Sequence, residues 1–188
     1  MSELDNTLFL WLNATSSSPA WLVSLARFAS QELPQWMAAA AVGAFVVGDV
    51  RVQRGLLRVL LAMLAAWIFA RITQYLFPMP RPFMLGLGTK WMTHADSASF
   101  PSTHATVAFA FGLAMAASTR RWLPAIFALA LASMVAWSRV CLGLHFPSDV
   151  LAGAAIGGAS AWLSMLLPLH RWTGISPREG APPPAAHP

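Results

Sequence analysis

Read along the chain, the apolar positions gather into long runs separated by short polar interruptions. Such runs occupy residues 35–48, 56–70, 105–118, 123–137 and 150–168, and with their flanks most approach the ~20 residues that cross a bilayer as one helix. A further run over residues 19–31 is shorter, carries Arg27 and meets Glu32 and Pro34; it must borrow flanking residues to cross, or stay partly submerged. The pattern predicts an all-α integral membrane protein, a six-transmembrane-helix bundle whose first span is marginal. Residues 1–18 pair an apolar patch (8–12) with a polar stretch (13–18) and read as an interfacial segment. Residues 173–188 are rich in Pro, Gly and Ala and predict a disordered tail, which leaves 19–172 as one membrane-embedded domain.

Composition agrees with that reading. Of 188 residues 57% are hydrophobic and 10% charged, against roughly 25% charged in a soluble domain. The net charge is +5, yet the basic residues are scattered among loops without a basic stripe interleaved with aromatics, which argues against nucleic acid as a partner. A single cysteine, Cys141, excludes an internal disulfide and reads as an apolar filler. No Lys or Arg occurs in the first 26 residues, so the charged region of a cleavable signal peptide is missing. With six spans, Arg51, Arg54 and Arg58, then Arg120 and Arg121, then His170 and Arg171 share one face. The positive-inside rule makes that face cytoplasmic, together with both termini. Connections 31–34, 78–102 and 142–148 then lie on the outer face.

That outer face collects ionisable groups that a bilayer does not require. Residues 138–149 read Ser-Arg-Val-Cys-Leu-Gly-Leu-His-Phe-Pro-Ser-Asp. If Pro147 opens a helix, Asp149 lies in its first turn and His145 on the approach. The four-residue spacing then lets the carboxylate orient one ring nitrogen and leave the other free to attack. Arg139 could hold an oxyanion in front of it. In residues 77–82, Phe-Pro-Met-Pro-Arg-Pro, the prolines stop a helix and set Arg81 on a stiff backbone. In residues 100–104, Phe-Pro-Ser-Thr-His, Ser102 is placed to cap a helix whose free N–H groups at Thr103 and His104 form an anion site. Taken singly, Arg81 reads as an interfacial anchor and Ser102 as a simple cap. Gathered on one face they point to function, and guanidinium forks with helix N–H groups fit phosphate.

These three stretches resemble the signature of the type 2 phosphatidic acid phosphatase superfamily: Lys, six residues, Arg-Pro; Pro-Ser-Gly-His; and Ser-Arg, five residues, His, three residues, Asp. Here the second block is Pro101-Ser102-Thr103-His104, and the third matches in full from Ser138 to Asp149. The resemblance spans about residues 55–168, and within the superfamily it looks most like bacterial undecaprenyl-diphosphate phosphatases of the BcrC and YbjG type. It implies that 19–172 is a lipid phosphatase domain in the bacterial cytoplasmic membrane, with its site facing the periplasm or cell exterior. The implied substrate is a polyprenyl diphosphate among membrane lipids, and no metal or cofactor is implied. His145 would attack the terminal phosphorus, Asp149 would orient it, and His104 would protonate the leaving oxygen and later activate water. Arg81, Arg139, Ser102 and the backbone at Thr103 would hold the phosphoryl oxygens.

The chain departs from the signature in two places. Gln74 stands where the family has Lys, and Thr103 where it has Gly. Gln74 can still donate a hydrogen bond to substrate but brings no charge; Arg71, about one helical turn earlier, or Lys90 in the outer connection is placed to compensate. Two other activities fit the same residues: a phosphotransferase that passes the phosphate to lipid A or another lipid, and a non-catalytic lipid-binding protein. Zinc at His94, Asp96, His104 and His145 is disfavoured by spacing and by the arginines, so His94 and Asp96 read as solvated loop residues. Asn13-Ala14-Thr15 matches a glycosylation acceptor only by chance. Gly153, Gly157 and Gly158 suit close helix packing, within the chain or in a homodimer.

Overall fold

The computed structural model describes residues 2–119 and 121–168. Among these there is no strand. Seven α-helices follow one another: α1 Glu3–Leu12, α2 Ala20–Gln31, α3 Leu33–Val47, α4 Val50–Leu76, α5 Thr103–Ser118, α6 Trp122–Cys141 and α7 Pro147–Met165, with a 3-10 turn at Pro82–Leu85 between α4 and α5. The disordered tail expected over 173–188, together with His170 and Arg171, lies outside the described residues, and so does Arg120.

Local chemistry starts and stops these helices. Asp49 accepts from the N–H groups of Arg51 and Val52, both at 2.9 Å, and so caps α4. Along α4 the buried positions are Leu56, Val59, Ala62, Ala66, Ala70 and Gln74, a three- and four-residue stripe that faces the bundle interior. Outside that stripe Leu60, Leu64, Trp67 and Ile72 are exposed, as lipid-facing positions must be. By length and apolarity α4 and α6 are each sufficient to cross a bilayer, with mean hydropathies of 1.9 and 1.6. The protein is a membrane protein.

Helix α5 is the hub, packed against α4, α6 and α7. Its buried side chains are mostly small, including Ala105, Ala108, Ala110, Gly112 and Ala114, which lets neighbouring backbones approach closely. The tightest approach is to α7. A Cβ at Gly153 would lie 3.0 Å from the Ser102 carbonyl oxygen, and one at Gly157 would collide with Thr106 O and stand 2.8 Å from Ala110 N. Two of the three glycines singled out in the sequence therefore seat α7 on α5 within one chain. Gly157→Ala is expected to lower stability by about 1–3 kcal/mol, the usual cost of overpacking where backbone cannot yield. Gly43→Ala is the control, since nothing lies within 4 Å of a Cβ there and both changes gain the same helix propensity. Thermal unfolding in one detergent compares them; equal melting temperatures would contradict the close packing.

The bundle has two ends. At one, Gly55 faces Ser118, and a 470 Å³ recess is bordered by Asp49, Arg51, Thr119 and Arg121. The α4 C-terminus, the α5 N-terminus, the α6 C-terminus and the α7 N-terminus meet at the other.

Helix α2, the marginal span of the sequence reading, makes its side-chain contacts at the second end. Val23 and Ala26 pack with Cys141, Leu142 and Leu144, the Arg27 guanidinium donates to the Trp91 carbonyl at 2.7 Å, and Ser30 pairs with Arg139. All of these partners belong to the second end. Twelve residues rise only about 18 Å, less than a bilayer core, and Glu32, itself in a helical conformation, joins α2 directly to α3. Helix α1 sits at the second end as well. Asp5 accepts from Ser148 N at 3.0 Å and from Ser148 Oγ at 2.6 Å, and the Phe9 ring lies 5.3 Å from that of Phe146. The N-terminal helix and the last described turn of α7 therefore lie at opposite ends.

Candidate active site

The chain turns sharply between α6 and α7, and the turn carries His145. Gly143 adopts φ +76° there, with the Thr89 carbonyl oxygen where a Cβ would project, so a side chain is excluded on both conformational and steric grounds. The Asn13 side chain braces this turn. Its amide donates to Thr89 O at 3.1 Å and Cys141 O at 3.0 Å, and its oxygen accepts from Thr89 N at 2.7 Å. A buried asparagine so engaged has a structural task. The α1 contacts to Ser148 and Phe146 fix the other side of the turn.

Pro147 is the first residue of α7, which places Asp149 in the opening turn. The Asp149 Oδ2 atom accepts from Phe146 N at 2.9 Å and from Ser99 Oγ at 2.5 Å, and stands 3.5 Å from His145 Nδ1. Ser99 Oγ is itself 3.4 Å from that nitrogen. A carboxylate on this side favours the tautomer with its proton on Nδ1, which leaves a lone pair on Nε2. Nε2 lies 3.0 Å from Arg81 Nη1. His145 is 1% exposed; burial first, then the charges of Arg81 and Arg139, hold its pKa well below the ordinary 6.5.

Arg81 follows the proline-rich exit of α4 and is held on every side. Its Nε donates to Ser97 O at 2.8 Å, Nη2 to Ser97 Oγ at 3.2 Å and Ala98 O at 3.1 Å, and Nη1 to Leu144 O at 3.0 Å. Burial pulls its pKa down, and the Asp149 carboxylate opposes that. Arg139, in the last turn of α6 and 1% exposed, is engaged through Nη1 to Ser30 Oγ. Its Nε and Nη2 have no partner among the described residues, and neither does the fully buried Ser102 Oγ. Ser102 occupies the N-cap position of α5 but its hydroxyl makes no capping bond. Buried donors without acceptors are costly, and oxyanions are strong partners for donors of this kind.

Two adjoining cavities unite these groups. One, of 310 Å³, is lined by Arg71, Gln74, Arg81, Thr103, His104 and His145 among others. The second, of 300 Å³, includes Arg139 and Ser30. His94 and His104 line both, so the loop position of His94 does not keep it away from the site, whereas Asp96 is exposed and lines neither. Gln74, buried in the last turn of α4, spends both amide hydrogens on Pro101 O and Thr103 Oγ1, each at 2.9 Å. Lys90 turns its ammonium to His94 O at 3.0 Å and over the Phe83 ring at 3.7 Å. Among the described residues no three His, Cys, Asp or Glu side chains group closely enough to hold a metal ion.

Sequence reasoning missed Ser30, Ser97 and Ser99. Ser30 and Ser99 lie 109 and 50 residues from the groups they orient, and no local spacing announces them.

Residues 55–172 match the PAP2 superfamily. The chain is 38% identical, over 157 residues, to YbjG of Escherichia coli strain K12, a protein provisionally named an undecaprenyl-diphosphatase; the alignment covers 84% of this chain and 79% of YbjG. It is also 38% identical over 79 residues to the undecaprenyl-diphosphatase BcrC of Bacillus subtilis, covering 41% of this chain and 39% of BcrC. In three dimensions it resembles the crystal structure of Aquifex aeolicus LpxE, with a TM-score of 0.70 at 20% identity, over 87% of this chain and 96% of that one. At that identity the likeness concerns the fold alone.

Proposed function

The chain belongs to the PAP2 superfamily, and from that premise we propose that it hydrolyses the terminal phosphate of undecaprenyl diphosphate to leave undecaprenyl phosphate. The observation that carries this reading is the convergence on adjoining cavities of the His145 imidazole, whose Nε2 faces the Arg81 guanidinium, and of Arg139, whose buried Nε and Nη2 have no acceptor among the described residues. In the first step the Nε2 lone pair of His145 bonds to the terminal phosphorus, and the bond from phosphorus to the bridging oxygen breaks. His104 gives a proton to the departing lipid phosphate. Arg81 Nη1, 3.0 Å from Nε2, turns its N–H to a phosphoryl oxygen, while Arg139, Ser102 Oγ and the Thr103 N–H take the others. In the second step His104 removes a proton from water, whose oxygen displaces the imidazole and releases inorganic phosphate. Phosphoryl transfer asks mainly for positioning and charge stabilisation, and the guanidinium groups supply both.

The opposite end of the bundle, where Arg51 and Arg121 border a recess, reads as cytoplasmic under the positive-inside rule. The site then opens to the periplasm or exterior of a bacterial cytoplasmic membrane, with the polyprenyl tail in lipid beside it. The test is phosphate release from a prenyl diphosphate by purified protein, run with labelled terminal phosphate and with lipid A present. Free phosphate supports hydrolysis, transfer of label to lipid A makes the protein a phosphotransferase, and binding without release makes it a lipid-binding protein. Because cationic side chains do the charge work, activity is expected to persist in excess EDTA. Full loss restored by an added divalent ion would contradict the mechanism.

A further inference from the structure

The missing lysine of the family signature leaves a question of charge, for which Arg71 and Lys90 are the two candidates. Gln74 cannot reach an incoming phosphate with its amide nitrogen, because both hydrogens are committed to Pro101 O and Thr103 Oγ1. What it offers is an acceptor. Arg71, three residues earlier on the same helix face, donates through Nη1 to Gln74 Oε1 at 3.0 Å. The Arg71 side chain is exposed and lines the same 310 Å³ cavity as Arg81, His104 and His145. Lys90, the other cation placed to compensate, is turned to a carbonyl and an aromatic ring.

We propose that Arg71 is a specificity-determining residue that binds the non-transferred phosphate of a diphosphate substrate, with Gln74 as its positioning residue. The inference rests on the phosphatase reading above and adds a division of labour to it. Arg81 and Arg139 are buried and suit the phosphoryl group under attack. Arg71 is exposed, is tethered through Gln74 and lines the cavity, at the rim where the lipid-linked phosphate would lie. A diphosphate brings one more phosphate, with its negative charge, than a monophosphate, and a second guanidinium beside Arg81 in the cavity answers it in a geometry that a point charge on lysine would not reproduce.

The experiment measures kcat/KM for farnesyl diphosphate, together with the affinity for farnesyl monophosphate as substrate or as competing inhibitor, in wild type, Arg71→Gln and Arg71→Lys. Arg71→Gln is expected to reduce kcat/KM for the diphosphate by about tenfold to a hundredfold, the worth of a charge-assisted hydrogen bond, and to leave monophosphate affinity unchanged. Arg71→Lys restores part of the difference. Equal losses on both ligands in both variants, or no loss on either, overturn the assignment. Wild type that releases no phosphate from the diphosphate defeats the phosphatase reading itself, a separate and recognisable failure.

Discussion

His145→Ala is expected to remove turnover and covalent phosphate capture together, with the rate falling by on the order of 10⁴-fold or more, as for other attacking side chains. Nε2 is the atom at stake, since Nδ1 faces Asp149 and Ser99. The variant should retain its fold, because Asp149 keeps Phe146 N and Ser99 Oγ as partners and Arg81 keeps Ser97, Ala98 and Leu144. Rapid quench with labelled terminal phosphate reads the point directly: wild type forms an acid-labile, alkali-stable phosphoprotein and the variant does not. Normal turnover in the variant would remove His145 from the chemistry. A pH dependence follows from the same burial. Because the folded pKa lies below 6.5, the ring stays neutral as pH falls through that value, and attack does not slow there for want of a lone pair. The unfolded chain does take up the proton near 6.5, so stability declines as pH drops below it.

What the amino-acid pattern disclosed was helical and local. Helices α3 to α7 follow the apolar runs, and the pairing of Asp149 with His145 follows from a proline that opens a helix and a spacing of four. What it concealed was tertiary. Residues 19–31 pass for a weak span because apolar content alone does not show what a helix packs against; Arg27 and Ser30 find their partners in Trp91 and Arg139, far away in sequence. Asp5 and Asn13, in a segment that reads as merely interfacial, brace the turn that carries His145 from more than a hundred residues away. Gln74 looked like a weakened substrate ligand until both its donors were found to be spent within the protein.

Arg139→Lys is expected to lower kcat by about a hundredfold to a thousandfold, the range for losing a preorganised oxyanion donor. Charge is retained in this variant, so the loss isolates geometry. Arg139 keeps two nitrogens, Nε and Nη2, without partners among the described residues while Ser30 grips the third, and an ammonium on a flexible stem cannot present that fork. Ser30→Ala should cost about tenfold, since it frees the guanidinium without removing it and forfeits roughly one hydrogen bond. The pair supplies the sharper test. If Ser30 acts only through Arg139, the double variant should be no slower than Arg139→Lys alone, a coupling that independent sites do not show. Additive losses would give Ser30 a contact of its own with substrate, and wild-type rates in Arg139→Lys would mean that the buried fork does not hold the phosphoryl group.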